Sequence, residues 1–327
     1  MSERRVRRAA AADVDAILEI IRERMAWMDE KGLEQWNCTE YLEVYPRSYF
    51  TAGAERGDFY LMEENGLVIG EMALFSEDGR WDDDPDYFYL HHLATRLGYP
   101  QAGAELLAYA EDLGRLEGKK GIRLDSAVDN RVLNDYYEAL GYPAVGTFVE
   151  GPYEGINRVK YLDRPVAFRT ATAADLEPLW AMEGLCFPPK EMCERANFER
   201  RLELCPDQFL LLTEGAEGRI CGFISDVYAE APVLADEMFT GDVRHVPEGK
   251  NLMVLGLNVH PDCRRRGYAA MLMRRRIAMA REAGLERCVL TCHDHLIAYY
   301  ESFGYVCQGV SQSVWGGEKW YDMVLEL

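Results

Sequence analysis

The run Leu257-Asn258-Val259-His260-Pro261-Asp262-Cys263-Arg264-Arg265-Arg266-Gly267-Tyr268-Ala269-Ala270-Met271-Leu272 is the part of the chain best suited to chemistry. An apolar strand-like segment passes through a basic, glycine-bearing loop into a segment with helical spacing. The first N–H groups of a helix lack intrahelical partners and lie at the positive end of its dipole. Three arginines there disfavour the helix alone, but they suit a loop that holds an anion, and phosphate is the usual one. Gly267 and Ala269 lack bulk, so backbone can approach that phosphate closely. A solvated basic patch ahead of an amphipathic helix is the plainer reading; strand, glycine and helix together favour the phosphate loop.

The elements around this loop follow from pattern. Asp175 is placed to cap a helix from Leu176 to about Glu183. Phe209–Leu212 and Ile220–Ile224 read as a hairpin across the Gly-bearing stretch Glu214–Gly218. Leu252–Val259 reads as a buried strand, and its interior Gly256 suggests a bulge or a close backbone approach. The helix after the loop runs from about Tyr268 to Ala283 and stops at Gly284. Cys288–Thr291 is the next strand, Leu296–Ser302 a short helix ended near Gly304, and Trp320–Leu325 the last strand.

The pattern occurs twice. Val6-Arg7-Arg8-Ala9-Ala10-Ala11-Ala12-Asp13-Val14 returns as Phe168-Arg169-Thr170-Ala171-Thr172-Ala173-Ala174-Asp175-Leu176. Asp135-Tyr136-Tyr137-Glu138-Ala139-Leu140-Gly141-Tyr142 returns as Ala298-Tyr299-Tyr300-Glu301-Ser302-Phe303-Gly304-Tyr305. A period this long signals duplicated domains, not a solenoid, whose units run roughly 20–50 residues. The expected division is residues 1–162 and 163–327, with the join near Leu162-Asp163-Arg164-Pro165. Each half reads strand, helices, strands, helix, strand, helix, strand. The fold class expected is α/β with a mixed, mostly antiparallel sheet in each half.

Composition sets outer limits. The chain has 327 residues and a formal charge of −20, which argues against a nucleic-acid partner because phosphate neutralisation needs clustered Lys and Arg. Apolar residues make up 48% and charged residues 28%, the profile of a folded chain. No apolar run approaches the roughly 18 residues of a membrane span, and the first residues lack the apolar core of a signal peptide. Nine cysteines, eight of them after residue 185, form no disulfide framework, so a reduced, cytoplasmic protein is expected.

With these residues in place, the sequence resembles the GNAT superfamily of N-acetyltransferases. Arg264-x-x-Gly267-x-Ala269 fits the family signature Gln/Arg-x-x-Gly-x-Gly/Ala, and Tyr300-Glu301-x-Phe303-Gly304-Tyr305 fits its later helix and strand. Both halves share the likeness, so a tandem arrangement is implied. The second half is most similar to the arylalkylamine N-acetyltransferase branch, through Leu202–Pro206, His245–Gly249, Leu257–Gly267 and Tyr299–Phe303. Two histidines of that branch fall on Met253 and Leu255 here, neither of which can accept a proton.

The resemblance implies acetyl-CoA as cofactor and acetyl transfer to a primary amine by direct attack, mainly in the second half. Backbone amides from Arg265 through Gly267, Tyr268 and Ala269 to Ala270 would hold the pyrophosphate, with Arg264, Arg265 and Arg266 supplying charge. Leu257 and Val259 would bond the pantetheine in the manner of a neighbouring strand. A backbone N–H near Gly256 would polarise the thioester carbonyl. Tyr300 would protonate the leaving thiolate, a balanced transfer between a phenol of pKa about 10 and a thiol near 8.5. His245 and Glu248 are candidate bases from the loop entering the central strand, and a water chain without a named base is an equal alternative. The acceptor is a small-molecule or peptide amine, with no nucleic-acid or membrane partner, and the protein a monomer or homodimer. A non-catalytic acyl-CoA sensor or partner-binding module is the rival reading.

The first half reads as a degenerate copy. Gly98-Tyr99-Pro100-Gln101-Ala102-Gly103 takes the loop position, Arg96 alone remains nearby, and Tyr137 matches Tyr300. Of His91 and His92, strand alternation turns one toward the site. This half is expected to bind coenzyme A weakly or not at all. Cys288, Cys292, His293 and His295 carry soft ligands but no common zinc spacing, so no metal is expected and strand-end packing is preferred. The acidic run Asp82-Asp83-Asp84-Pro85-Asp86 lacks a calcium-loop pattern and reads as a solvated loop. Trp27, Trp36, Tyr41, Tyr45 and Tyr49 form an aromatic region, mostly core, whose counterpart is Cys186–Lys190.

Overall fold

Apolar strands alternate with amphipathic helices in the same order twice, and a computed structural model shows the two sheets this pattern builds. It describes residues 4–81, 84–151, 153–162, 165–215, 218–240 and 245–327. The expected join at Asp163 and Arg164, the turn at Ala216 and Glu217, and Asp82 and Asp83 of the acidic run lie outside the described residues. The chain divides into two units, Ser2–Pro165 and Val166–Leu327.

In the first unit β1 (Arg4–Arg8) leads to α1 (Val14–Lys31), α2 (Tyr41–Val44) and α3 (Arg47–Arg56). Then come β2 (Phe59–Glu64), β3 (Leu67–Phe75), β4 (Tyr87–Thr95), α4 (Ala102–Leu116), β5 (Gly121–Ala127), α5 (Arg131–Ala139), β6 (Ala144–Glu150) and β7 (Tyr153–Tyr161). The sheet order is β1-β2-β3-β4-β5-β7-β6. In the second unit β8 (Val166–Thr170) is followed by α6 (Leu176–Cys186), α7 (Arg195–Leu204), β9 (Phe209–Glu214), β10 (Arg219–Ala229) and β11 (Asn251–Val259). The unit ends with α8 (Tyr268–Glu282), β12 (Arg287–Cys292), α9 (Ile297–Glu301), β13 (Val306–Val310) and β14 (Tyr321–Glu326). Its order, β8-β9-β10-β11-β12-β14-β13, repeats the first.

Each sheet has one parallel pair, and that pair is short. β4 meets β5 only over Tyr87–Tyr89, and β11 meets β12 only over Asn251–Met253. All other neighbours are antiparallel. Beyond Met253, β11 therefore runs on to Val259 without a strand partner among the described residues on its β12 side. β11 also carries a bulge: Ser225 pairs with Gly256 and Asp226 with Val254, leaving Leu255 as the extra residue.

Two local expectations change. Asp175 does not cap α6 through its side chain; its carboxylate instead closes a capping box with Thr172 over the preceding turn and binds Arg169. The strand β13 went unseen because its residues alternate between exposed and half-buried at the sheet edge, without an apolar face.

Candidate active site

The loop Cys263–Gly267 opens α8 with two left-handed residues, Arg265 at φ +61° and Gly267 at φ +80°. A non-glycine residue in that region is uncommon and marks a loop shaped for more than connection. A Cβ built on Gly267 meets nothing within 4 Å, so the space over the helix start is open. Arg264 and Arg265 are exposed. Arg264 Nε donates to the Val259 carbonyl at 3.2 Å, and Arg266 Nη1 lies 3.3 Å from Glu214 Oε2. Tyr268 is buried and its hydroxyl donates to the same Glu214 oxygen at 3.1 Å, which fastens the loop to β9. Ala269 and Ala270 are half-buried on the first turn of α8.

His260 N donates to the Cys221 carbonyl of β10 at 2.9 Å. Backbone direction alternates along a strand, so the polar groups of Val259 and Leu257 point away from β10, to the edge that β12 has left. The side chains of Leu257 and Val259 pack against the core beneath α8. The loop, the open edge and the bulge at Leu255–Gly256 thus follow one another along one strand.

Tyr300 sits on α9 in that same core, 9% exposed, with its ring 5.3 Å from Tyr299 and 6.0 Å from Tyr305. Burial, with Tyr299 and Cys292 beside it, pushes its phenol above the ordinary value, so it holds its proton at neutral pH. His245 is half-buried, and burial lowers its pKa. Its Nδ1 accepts the backbone N–H of Tyr228 at 3.1 Å. The neutral ring then carries its proton on Nε2, which makes the outer nitrogen a donor. Glu248 is exposed.

The sheet face opposite α8 brings Met253 and Leu255 together with residues that sequence reasoning passed over. Met253, Val289, Phe239, Leu255, Trp315 and Val324 pack together there. Glu191, from the segment after α6, bonds His293 at the end of β12, with Oε2 3.3 Å from Nε2. His293 stacks on Trp320 at 4.3 Å between ring centroids, and the Glu191 carbonyl accepts Trp315 Nε1–H at 2.8 Å. His293 was visible only as a zinc candidate, and Glu191 lies 102 residues away in sequence, so spacing gave no signal. The three described side chains of metal-ligating type that do converge are elsewhere: Glu214, Cys221 and Cys263, all buried, have ligand atoms within 4.8 Å of one another.

The first unit keeps the frame and loses the loop. Gln101, at φ +66°, takes the left-handed position that caps α4, as Gly267 caps α8. Glu23 sits at the strand end before this loop: its carboxylate accepts Leu97 N–H at 2.7 Å and Arg96 Nη1 at 3.0 Å. Glu19 takes the other Arg96 nitrogen at 2.9 Å. The alternation argument for His91 and His92 fails, because His92 lies at φ +55° beside a register shift in the β3–β4 ladder. Both rings reach Phe75, at 5.3 and 6.3 Å. His91 Nε2 bonds Asp78 at 2.9 Å. His92 is gripped at both nitrogens by Tyr41 and Tyr49 hydroxyls, at 2.5 and 2.9 Å. Burial first, then His91 and Arg80, lowers its pKa to about 3. Tyr137, the counterpart of Tyr300, is buried.

A sheet splayed at one parallel pair, with a left-handed basic loop opening a helix at the end of the splayed strand, defines an acyl-CoA-dependent acyltransferase class. The acetyltransferase (GNAT) family matches residues 19–142 and again 176–305, and the chain belongs to that family. An uncharacterized N-acetyltransferase of Bacillus subtilis (strain 168), YesJ, is 26% identical over 152 residues, spanning 44% of this chain and 83% of that one. Serotonin N-acetyltransferase of Mesocricetus auratus is 32% identical over 134 residues, spanning 41% of this chain and 60% of that protein. Among solved structures, the loading GNATL domain of CurA from Lyngbya majuscula aligns with a TM-score of 0.42 at 15% identity, covering 49% of this chain and 97% of its own. PaiA N-acetyltransferase from Thermoplasma acidophilum, solved with coenzyme A, aligns at 0.41 and 18% identity, covering 48% and 98%. No helix among the described residues is long and apolar enough to cross a membrane.

Proposed function

We infer that the chain is an N-acetyltransferase that moves an acetyl group from acetyl-CoA to a primary amine, with the chemistry in residues 166–327. The carrying observation is the loop itself: left-handed at Arg265 and Gly267, open above Gly267, and continuous with the unpaired edge of β11. These residues fit a coenzyme A diphosphate: the amides of residues 265–270 and the guanidinium groups of Arg264 and Arg265 would hold it, and Leu257 and Val259 would pair with its amide arm. When bound, acetyl-CoA supplies the activated thioester. The chain supplies the rest. The bulge at Leu255–Gly256 frees backbone N–H groups to meet developing charge on an oxygen. Tyr300, kept protonated by burial, is the proton donor for a departing thiolate. The first half, whose nearby Arg96 is taken by Glu19 and Glu23, binds coenzyme A weakly or not at all and supports the fold or the acceptor site.

Calorimetric titration of the purified chain with acetyl-CoA, repeated with Arg264, Arg265 and Arg266 all changed to Ala, tests this. One site per chain, lost in the variant, is the expected result. Two sites would restore the first half as a cofactor domain, and no binding in the unaltered chain would overturn the reading.

A further inference from the structure

The proposed reaction needs a group that takes the proton of the acceptor ammonium, and β11 offers none. Met253 and Leu255 project from the strand onto the face opposite α8, and neither side chain binds a proton. His245 presents Nε2–H outward while its Nδ1 holds Tyr228 N–H. The next strand supplies the missing type of residue on that face. β12 pairs with β11 last at Met253↔Val289, and Val289 packs with Met253 and Leu255. Strand side chains alternate, so Thr291 follows Val289 on that face. His293 follows in turn, since its backbone stays extended at φ −71°, ψ 157°. His293 therefore stands four residues beyond the last paired position, where β12 has parted from β11.

We propose that His293, held by Glu191, is the proton acceptor for the amine, the base having moved from β11 to the end of β12. This rests on the acetyl-transfer reading above. Glu191 Oε2 lies 3.3 Å from His293 Nε2, so the carboxylate holds the proton on Nε2 and leaves the lone pair on Nδ1. Nδ1 would take one proton from the ammonium; the neutral nitrogen would attack the thioester carbonyl and the carbon–sulfur bond break, Tyr300 giving its proton to the thiolate and being restored by the second proton of the acylated nitrogen. Protons and charge then balance, with one net proton left as the imidazolium next to Glu191.

The dyad is built, not incidental. The segment carrying Glu191 is strapped to the β13–β14 connection at three further points: Trp315 Nε1–H on the Glu191 carbonyl at 2.8 Å, the Lys190–Glu318 ion pair, and Gly316 against Lys190. Gly316 sits at φ +65°, and a Cβ there would lie 2.8 Å from the Lys190 carbonyl oxygen, so only glycine fits. Trp320 stacks on the His293 ring and Phe239 on Trp315, which holds the ring in place. One carboxylate oxygen, Asp322 Oδ1 on β14, is buried without a hydrogen-bond partner among the described residues. Asp322 pairs with Thr291 in the ladder, two residues before His293, and offers a place for the ammonium charge. The other charged neighbours of His293 are Glu318 and Lys190 across the strap and Asp294 and His295 beside it in the chain.

Glu191 is a positioning residue, and the test includes a readout that mere packing would not move. Long-range ¹H–¹⁵N spectra of the full chain should show His293 protonated on Nε2 and not Nδ1 in its neutral form. Glu191→Gln should change that tautomer balance, while Glu191→Asp should largely keep it. With acetyl-CoA and ethylamine as the probe amine, His293→Gln should cut kcat/KM about 10²–10³-fold and abolish the acidic limb of its pH profile. Acetyl-CoA affinity should not change. A neutral His293 protonated on Nδ1 overturns the proposal even if ethylamine proves a poor acceptor. So does an unaltered pH profile in His293→Gln. Loss of acetyl-CoA binding in the unaltered chain would instead bring down the acetyl-transfer reading, so the two failures are distinguishable.

Discussion

Replacing Gly267 with alanine separates the backbone cost of the loop from its role in holding an anion. Gly267 lies at φ +80°, and a Cβ there touches nothing within 4 Å, so the substitution meets no steric clash in the chain itself. Its cost is conformational, about 1–2 kcal/mol for an L-residue in the left-handed region, or a drop of roughly 2–8 °C in Tm for a unit of this size. Gln101 shows that the fold tolerates such a residue at the matching position, at φ +66°. Gly284 supplies the control. It lies at φ +72°, also with nothing within 4 Å of a Cβ, but at the far end of α8. Gly284→Ala should therefore show a similar Tm drop. Only Gly267→Ala places a methyl group over the helix start, where a diphosphate must approach the amides. Calorimetry should find acetyl-CoA affinity reduced about tenfold or more in Gly267→Ala, at least ~1.4 kcal/mol, and unchanged in Gly284→Ala. Equal affinities in the two variants would refute the placement of the diphosphate in this loop.

Tyr300→Phe should lower turnover by roughly 10²–10⁴ while acetyl-CoA binding stays intact, because it removes a proton donor and keeps the ring; steady-state rates with calorimetry decide it. Asp226 is fully buried against Arg276, with both carboxylate oxygens 2.5 Å from the guanidinium and Gln208 on a further N–H at 2.7 Å. Arg276→Met alone strands a buried charge and should cost about 3–5 kcal/mol in urea unfolding, whereas Arg276→Met with Asp226→Leu should recover most of it. Asp175 is held down to about 2 by its hydrogen bonds from Arg169, with help from Thr172. A carboxyl that is more acidic folded than unfolded stabilises above its unfolded value, near 4, and loses that contribution as pH falls toward 2. Asp175→Asn should thus flatten the fall in stability across that window, read from thermal melts at closely spaced pH.

What could be read from sequence was local. The strand into Val259, the basic turn and α8 form one uninterrupted run, so period, glycine and charge all speak within sixteen residues. The hairpin of β9 and β10 is legible for the same reason. β13 was not, because an edge strand with no buried face leaves no apolar rhythm. His92 misled because alternation assumes a regular strand, and its left-handed backbone breaks the period where the sheet bulges. Glu191 and His293 could not be paired, since the contact spans 102 residues and exists only because β12 splays and the strap folds across.

The two halves share a frame and differ at the loop where the proposed cofactor would sit. Both keep the splay, the left-handed cap and the buried tyrosine on the later helix. The difference lies in charge at one loop. In the second half, Arg264 and Arg265 remain exposed there. In the first, the nearby arginine, Arg96, is bound by Glu19 and Glu23, and Glu23 also takes the Leu97 amide. A carboxylate seated at the entry of such a loop opposes a phosphate by its own charge and by neutralising the nearby arginine. On the proposed reading, the frame is present twice and the charge favours one cofactor site, the one whose open strand leads past the bulge toward His293.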